Sequence, residues 1–240
     1  RGYEELKDIC EAYKKEIGLP FFCASTPTFM SEDKVKALID AGLVRLEIGV
    51  QSINDKINHE IYGRMINKEK VVETAKMLEK YRHKIRVCYD FILDNPWESD
   101  ETRLESLKFI LSLKKPFNIF LFSLTLYPGT ELLERAKKEG IITDEFNQVY
   151  RKNHMVLGNN KISTLFLLYI NYNLPKGLIK SLIKTRNFFP VRKFLGNSTY
   201  FLIRLSNYYT GLRDSIKTGN KEMRDYYLKS PLRNPLGPFR

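Results

Sequence analysis

The stretch LVRLEIGVQS, residues 43–52, has the period of a β-strand that runs into a turn and a helix start. Val44, Leu46, Ile48 and Val50 fall on one face, and Arg45, Glu47, Gly49 and Gln51 on the other. The aliphatic face suits packing under helices. The other face carries two charges, an amide and a bare backbone position. Such a face is costly in a closed apolar core, because buried charges need partners. It is expected where strands surround a polar ligand, with Gly49 leaving room for close approach to the backbone. Gln51 ends the strand, on the side where parallel sheets and barrels carry their ligand groups.

A second strand with a polar face follows at residues 85–93, IRVCYDFIL, where Arg86, Cys88, Asp90 and Ile92 share one side. Around these two, residues 1–16 read as a helix, 21–26 as a short strand, and 117–126 as a further strand. Ser31, Asn67 and Ser99 are placed to cap helices, and Ser52, with Asp55 at the capping-box position, to cap the helix that ends near Tyr62. A last helix covers residues 131–139. Strands alternating with helices imply parallel pairing through right-handed crossovers. A doubly wound sheet and a (β/α) barrel both fit. The inward polar faces favour an α/β fold of the second kind, a partial TIM-like barrel over residues 1–142, followed by a basic, aromatic-rich helical extension over 143–240.

With 240 residues, 43% hydrophobic and 28% charged, the chain has the composition of a soluble globular protein. No apolar run is long enough to span a bilayer, and no signal peptide is visible. Residue 1 is already inside a helical pattern, so a preceding segment is expected. Cys10, Cys23 and Cys88 show no CxxC or CxxxC spacing and read as reduced, packed thiols, in keeping with a cytoplasmic protein. The net charge of +12 is uneven: residues 151–240 hold 17 Lys/Arg against 3 Asp/Glu, whereas residues 1–150 hold 23 against 25.

Gln51, Asp90 to Glu98, and Tyr127 to Thr130 all lie at C-terminal strand ends, which in a parallel barrel meet at one mouth. Each has a plain structural reading too. Gln51 can cap the next helix, Asp90 can pair with Arg45 or Arg86, and Pro128-Gly129 can be a simple turn.

Together, EIGVQS (47–52), YDFILDNPWES (89–99) and SLTLYPGTEL (123–132) resemble the radical S-adenosylmethionine (SAM) superfamily, most closely the members that carry a cobalamin-binding domain. The likeness spans about residues 1–142. It implies an enzyme with a partial (β/α) barrel and a four-iron, four-sulfur cluster held by a CxxxCxxC loop. That loop is absent from these residues, as is the usual glycine-rich segment after the second strand, and both are expected upstream. By the same resemblance Gln51 and Asp90 meet the SAM ribose, an amide and a carboxylate suited to a diol. Arg64, otherwise an exposed arginine, meets the SAM carboxylate. Ile92 contacts adenine, and Pro128 belongs to the loop on the adenine side. Glu47 either neutralises Arg45 or reaches the SAM amino group. Ser25 occupies a strand-end position where many relatives carry a charge. Glu98 is expected to hold the turn, and Asp94 and Trp97 replace the usual glycines there.

The implied activity is formation of a 5′-deoxyadenosyl radical or support of cobalamin-dependent methyl transfer, on a small-molecule or lipid-linked substrate, with a reductant protein. The fragment alone is expected to be inactive. The alternative is a non-enzymatic (β/α) scaffold whose tail binds membrane or RNA. The tail reads as three helices, around Leu165–Tyr169, Leu178–Ile183 and Phe201–Leu212, punctuated by Asn-Phe-Phe-Pro and Pro-Leu-Gly-Pro. It admits a structural cover for the barrel, peripheral contact with an anionic inner membrane face, or, least favoured, nucleic acid.

Overall fold

The computed structural model describes residues 2–152, 154, 157–218 and 228. The chain forms two compact units, the second beginning at Leu157. The first unit contains a parallel sheet with strand order β1-β2-β3-β4: β1 (Phe21–Ser25), β2 (Leu43–Gln51), β3 (Arg86–Ile92) and β4 (Asn118–Phe122). Sequential order with helical crossovers is the arc of a (β/α) barrel. The helices of this unit are α1 (Tyr3–Glu16), α2 (Glu32–Asp40), α3 (Asp55–Glu60), α4 (Lys68–Glu79), α5 (Asp100–Ser112) and α6 (Glu131–Lys138).

Leu46, Ile48 and Val50 are buried, as are Val87, Tyr89 and Phe91 on β3, forming the core with Val35, Leu78, Leu107 and Ile110 of the helices. The opposite face of β2 keeps Arg45 and Glu47 half-buried. Val44 departs from the expected aliphatic face and is 51% exposed at the strand's start. Ser31, Asn67 and Ser99 cap α2, α4 and α5 as their positions imply, each side chain accepting a backbone N–H of the first turn.

Four expectations need correction. Ser52 does not cap α3. Asn54 does, accepting from the Ile57 N–H, while Asp55 accepts from the Lys68 N–H at 2.6 Å. The strand expected over 117–126 pairs only over Asn118–Phe122, because beyond it the chain is held by a side chain: Asp94 accepts from the Leu124 N–H at 2.6 Å and from the Ser123 hydroxyl. The segment after residue 142 packs with the first unit, since Val149, in a π-helical turn at Phe146–Tyr150, is buried with Leu124, Leu126 and Leu133. Pro190 does not break the chain. It sits in the first turn of a helix, where its missing N–H costs nothing.

The second unit holds α7 (Lys161–Ile170), α8 (Lys176–Thr185), α9 (Phe189–Asn197) and α10 (Thr199–Thr218). Its core includes Leu165, Phe166, Tyr169, Ile179 and Leu195. The Pro-Leu-Gly-Pro stretch at 235–238 lies outside the described residues.

Candidate functional site

In the β2–β3 pairing Gly49 lies opposite Asp90, and the register then shifts between Gly49 and Gln51. Gln51 takes φ 65°, the left-handed region that a residue with a Cβ adopts at a cost of roughly 1–2 kcal/mol. Such outliers and irregular strand ends concentrate at functional sites. The Gln51 amide folds back over Gly49. A Cβ built on Gly49 would lie 3.0 Å from Gln51 Nε2, 3.1 Å from Arg64 Nη1 and 3.7 Å from the Ser25 carbonyl oxygen. Only glycine leaves that space. Arg64, after α3, is drawn in by donating from Nη1 to the Gly49 carbonyl at 3.1 Å.

Asp90 completes the group. Its Oδ1 is buried with no hydrogen-bond partner among the described residues. Burial pushes its carboxyl up to about 6, Glu47 adds to the rise, and Arg64 opposes it. The pairing of Asp90 with Arg45 or Arg86 is not what the fold makes. Arg45 stands 3.1 Å from Glu47, its guanidinium 4.3 Å over the Phe22 ring, and Arg86 is exposed. Glu47 is thus the partner of Arg45.

The turn behind Gln51 is fixed by buried polar groups. The Ser52 hydroxyl donates to Glu98 Oε1 at 2.7 Å, and the buried Asn58 amide donates to the Ser52 carbonyl at 2.7 Å. The Asn58 carbonyl accepts from the Arg64 N–H at 2.9 Å, so one link runs from the end of β2 to Arg64. Burial raises the Glu98 carboxyl to about 7, against the Ser52 hydrogen bond and Arg103. Glu98 thus holds the turn, as expected.

Three more of the expected residues have these placements. Ser25 faces Gly49 with its backbone carbonyl. Ile92 is half-buried against the Leu124–Leu133 cluster. Pro128 is exposed in the turn before α6 and enters none of the contacts that join Gly49, Gln51 and Arg64. Two residues escaped the sequence reading. Asn58, mid-helix, carries no signal of its own. Asp94 gave one, as a carboxylate in place of a glycine, and it ties the ends of β3 and β4 together with Lys152 at 3.5 Å.

Against known families, a model of the radical SAM superfamily matches residues 2–110. The chain is 26% identical over 133 residues to the heme chaperone HemW of Lactococcus lactis subsp. lactis strain IL1403, covering 55% of this chain and 34% of that protein. It is 27% identical over 84 residues to the GTP 3′,8-cyclase of Aquifex aeolicus strain VF5, covering 35% and 26%. It thus spans about a third or less of these relatives. Among solved structures it is similar to the radical SAM methyltransferase TsrM of Kitasatospora setae, with cobalamin and a four-iron, four-sulfur cluster bound (TM-score 0.46, 18% identity, 57% of this chain and 27% of that one).

The cysteines of the matched residues 2–110 do not fit an iron–sulfur cluster. Cys10 and Cys88 are buried, and burial pushes the Cys88 thiol up to about 11, the wrong direction for a thiolate ligand. Among the described residues no three His, Cys, Asp or Glu side chains gather as a metal site.

Proposed function

We propose that this chain supplies the SAM-holding rim of a radical SAM enzyme, with Gln51, Arg64 and Asp90 as its binding side chains. One observation carries the reading. Two flexible polar side chains converge over a glycine, opposite a carboxylate that keeps a buried oxygen without a partner. Ionised, Asp90 accepts from a ribose hydroxyl, while the Gln51 amide both donates and accepts. The Arg64 guanidinium spends one nitrogen on Gly49 and keeps donors for the SAM carboxylate. Gly49 lets the nucleoside approach the backbone.

When bound, a four-iron, four-sulfur cluster supplies the electron for SAM cleavage, its ligands coming from sequence beyond these 240 residues. The chain's part is to bind, orient and desolvate SAM. Radical formation on a small-molecule or lipid-linked substrate and support of cobalamin-dependent methyl transfer are the two outcomes under this reading. A reductant protein serves either. No residue here is assigned to cobalamin.

The test uses the polypeptide that includes the cluster ligands, reconstituted and reduced. Asp90→Ala is expected to weaken SAM binding about 10- to 100-fold, the cost of losing a charged hydrogen-bond partner, and to lower 5′-deoxyadenosine formation. Unchanged affinity and cleavage would remove Asp90 from the site and favour a non-enzymatic scaffold.

A further inference from the structure

Between residues 157 and 218 the second unit carries ten Lys/Arg and one acidic residue, Asp214. Phe189, Arg192, Lys193, Gly196 and Asn197 are spaced to share one face of α9. With residues 159–161 at the start of α7 they line a cleft of about 580 Å³. Among the described residues no atom would lie within 4 Å of a Cβ on Gly196, so this wall is open. The cleft is built rather than incidental. Buried Thr164 donates to the Leu195 carbonyl at 2.6 Å and lies 2.8 Å from Thr199 Oγ1, which in turn accepts from the Asn160 N–H at 3.0 Å. These bonds fix the start of α7 against the end of α9.

At the mouth of α9 two consecutive rings stand in water, Phe188 at 65% and Phe189 at 75% exposure. Arg192 and Lys193 are exposed one turn on, and Lys180 and Lys184 lie on the outer side of α8, away from buried Ile179 and Ile183. Adjacent exposed aromatics flanked by basic side chains and almost no carboxylates complement a surface that is apolar just below an anionic layer. Single-stranded nucleic acid is instead held by rings spaced along a charged track. We propose that this corner of the second unit binds an anionic phospholipid bilayer, Phe188 and Phe189 entering the headgroup boundary and Arg192 and Lys193 pairing with lipid phosphates along the cleft. The inference rests on the second unit alone and stands apart from the SAM reading.

The test is flotation of the whole chain with phosphatidylcholine vesicles, with and without phosphatidylglycerol. Binding is expected only with phosphatidylglycerol. Arg192→Gln with Lys193→Gln should weaken it roughly 25-fold, about five-fold per charge, a loss that shrinks at high salt. Phe188→Ala with Phe189→Ala should weaken it at both salt levels. Phe189→Trp, read against the background of Trp97, should show blue-shifted emission and quenching by brominated acyl chains, a readout that needs no loss of binding. Absent or charge-independent vesicle binding, an unquenched Trp, or tight binding of single-stranded RNA in place of vesicles would overturn the proposal.

Discussion

At the scale of single residues, Gly49 separates binding from stability. An added methyl would press on the far ends of Gln51 and Arg64, which can move, and on no backbone atom closer than 3.7 Å. Gly49→Ala is therefore expected to leave the melting temperature nearly unchanged while weakening SAM binding at least about ten-fold, roughly 1.4 kcal/mol. Gln51→Gly should do the reverse for stability. Relief of the left-handed backbone at residue 51 is expected to stabilise the protein by up to roughly 1 kcal/mol, with SAM affinity lost. Asp90 adds a pH dependence. Its carboxyl rises from 3.8 to about 6, so between those values the native state keeps a proton that the unfolded chain has released. Stability from this group thus falls as pH rises from about 4 to about 6 and is level above. Asp90→Asn removes that fall. The melting temperature of the variant relative to the native protein should therefore rise between pH 4.5 and pH 7.5 by thermal scans, while native SAM affinity should strengthen through about pH 6.

At the scale of elements, the turn after β2 makes the sharpest test, because two neighbouring residues exchange the roles their sequence positions imply. Asn54→Ala should cost about 1 kcal/mol as loss of a helix cap. Ser52→Ala instead breaks the buried bond to Glu98, and a double-mutant cycle with Glu98→Ala should show coupling of about 1 kcal/mol or more by denaturant unfolding. The reason the sequence misled here is local. Serine before a helical run reads as a cap, and nothing within ten residues reveals a carboxylate 46 positions away. The alternation of strands and helices, by contrast, was legible because period-2 and period-3.6 patterns are written within each element. The end of β4 was not, since Asp94 closes it from another strand. Pro190 misled for a similar reason: a proline marks a break or a first helical turn, and only the packing of Leu195 decides. Of the proposed site, Gln51 and Arg64 both reach Gly49, and Asp90 pairs with it across the strands. Their convergence on Gly49 depends on a register shift and a left-handed residue that no periodicity announces.

At the scale of the whole molecule, charge is unevenly divided. The first 150 residues are nearly neutral and carry a half-buried, high-lying carboxylate at the rim of a parallel sheet, and the last 90 are strongly basic. No helix among the described residues is long and apolar enough to cross a membrane. Salt should therefore act on the two ends of the chain differently. Surface binding by the second unit should weaken as ionic strength rises, while SAM binding at the partly buried rim changes little. The most direct test of the rim is equilibrium dialysis of labelled SAM against the reconstituted polypeptide that includes the cluster ligands, native and with Gln51→Ala, Arg64→Ala or Asp90→Ala. Saturable binding is expected, weakened about ten-fold or more by each substitution. Binding that none of the three alters, or no binding by the native reconstituted polypeptide, would contradict it.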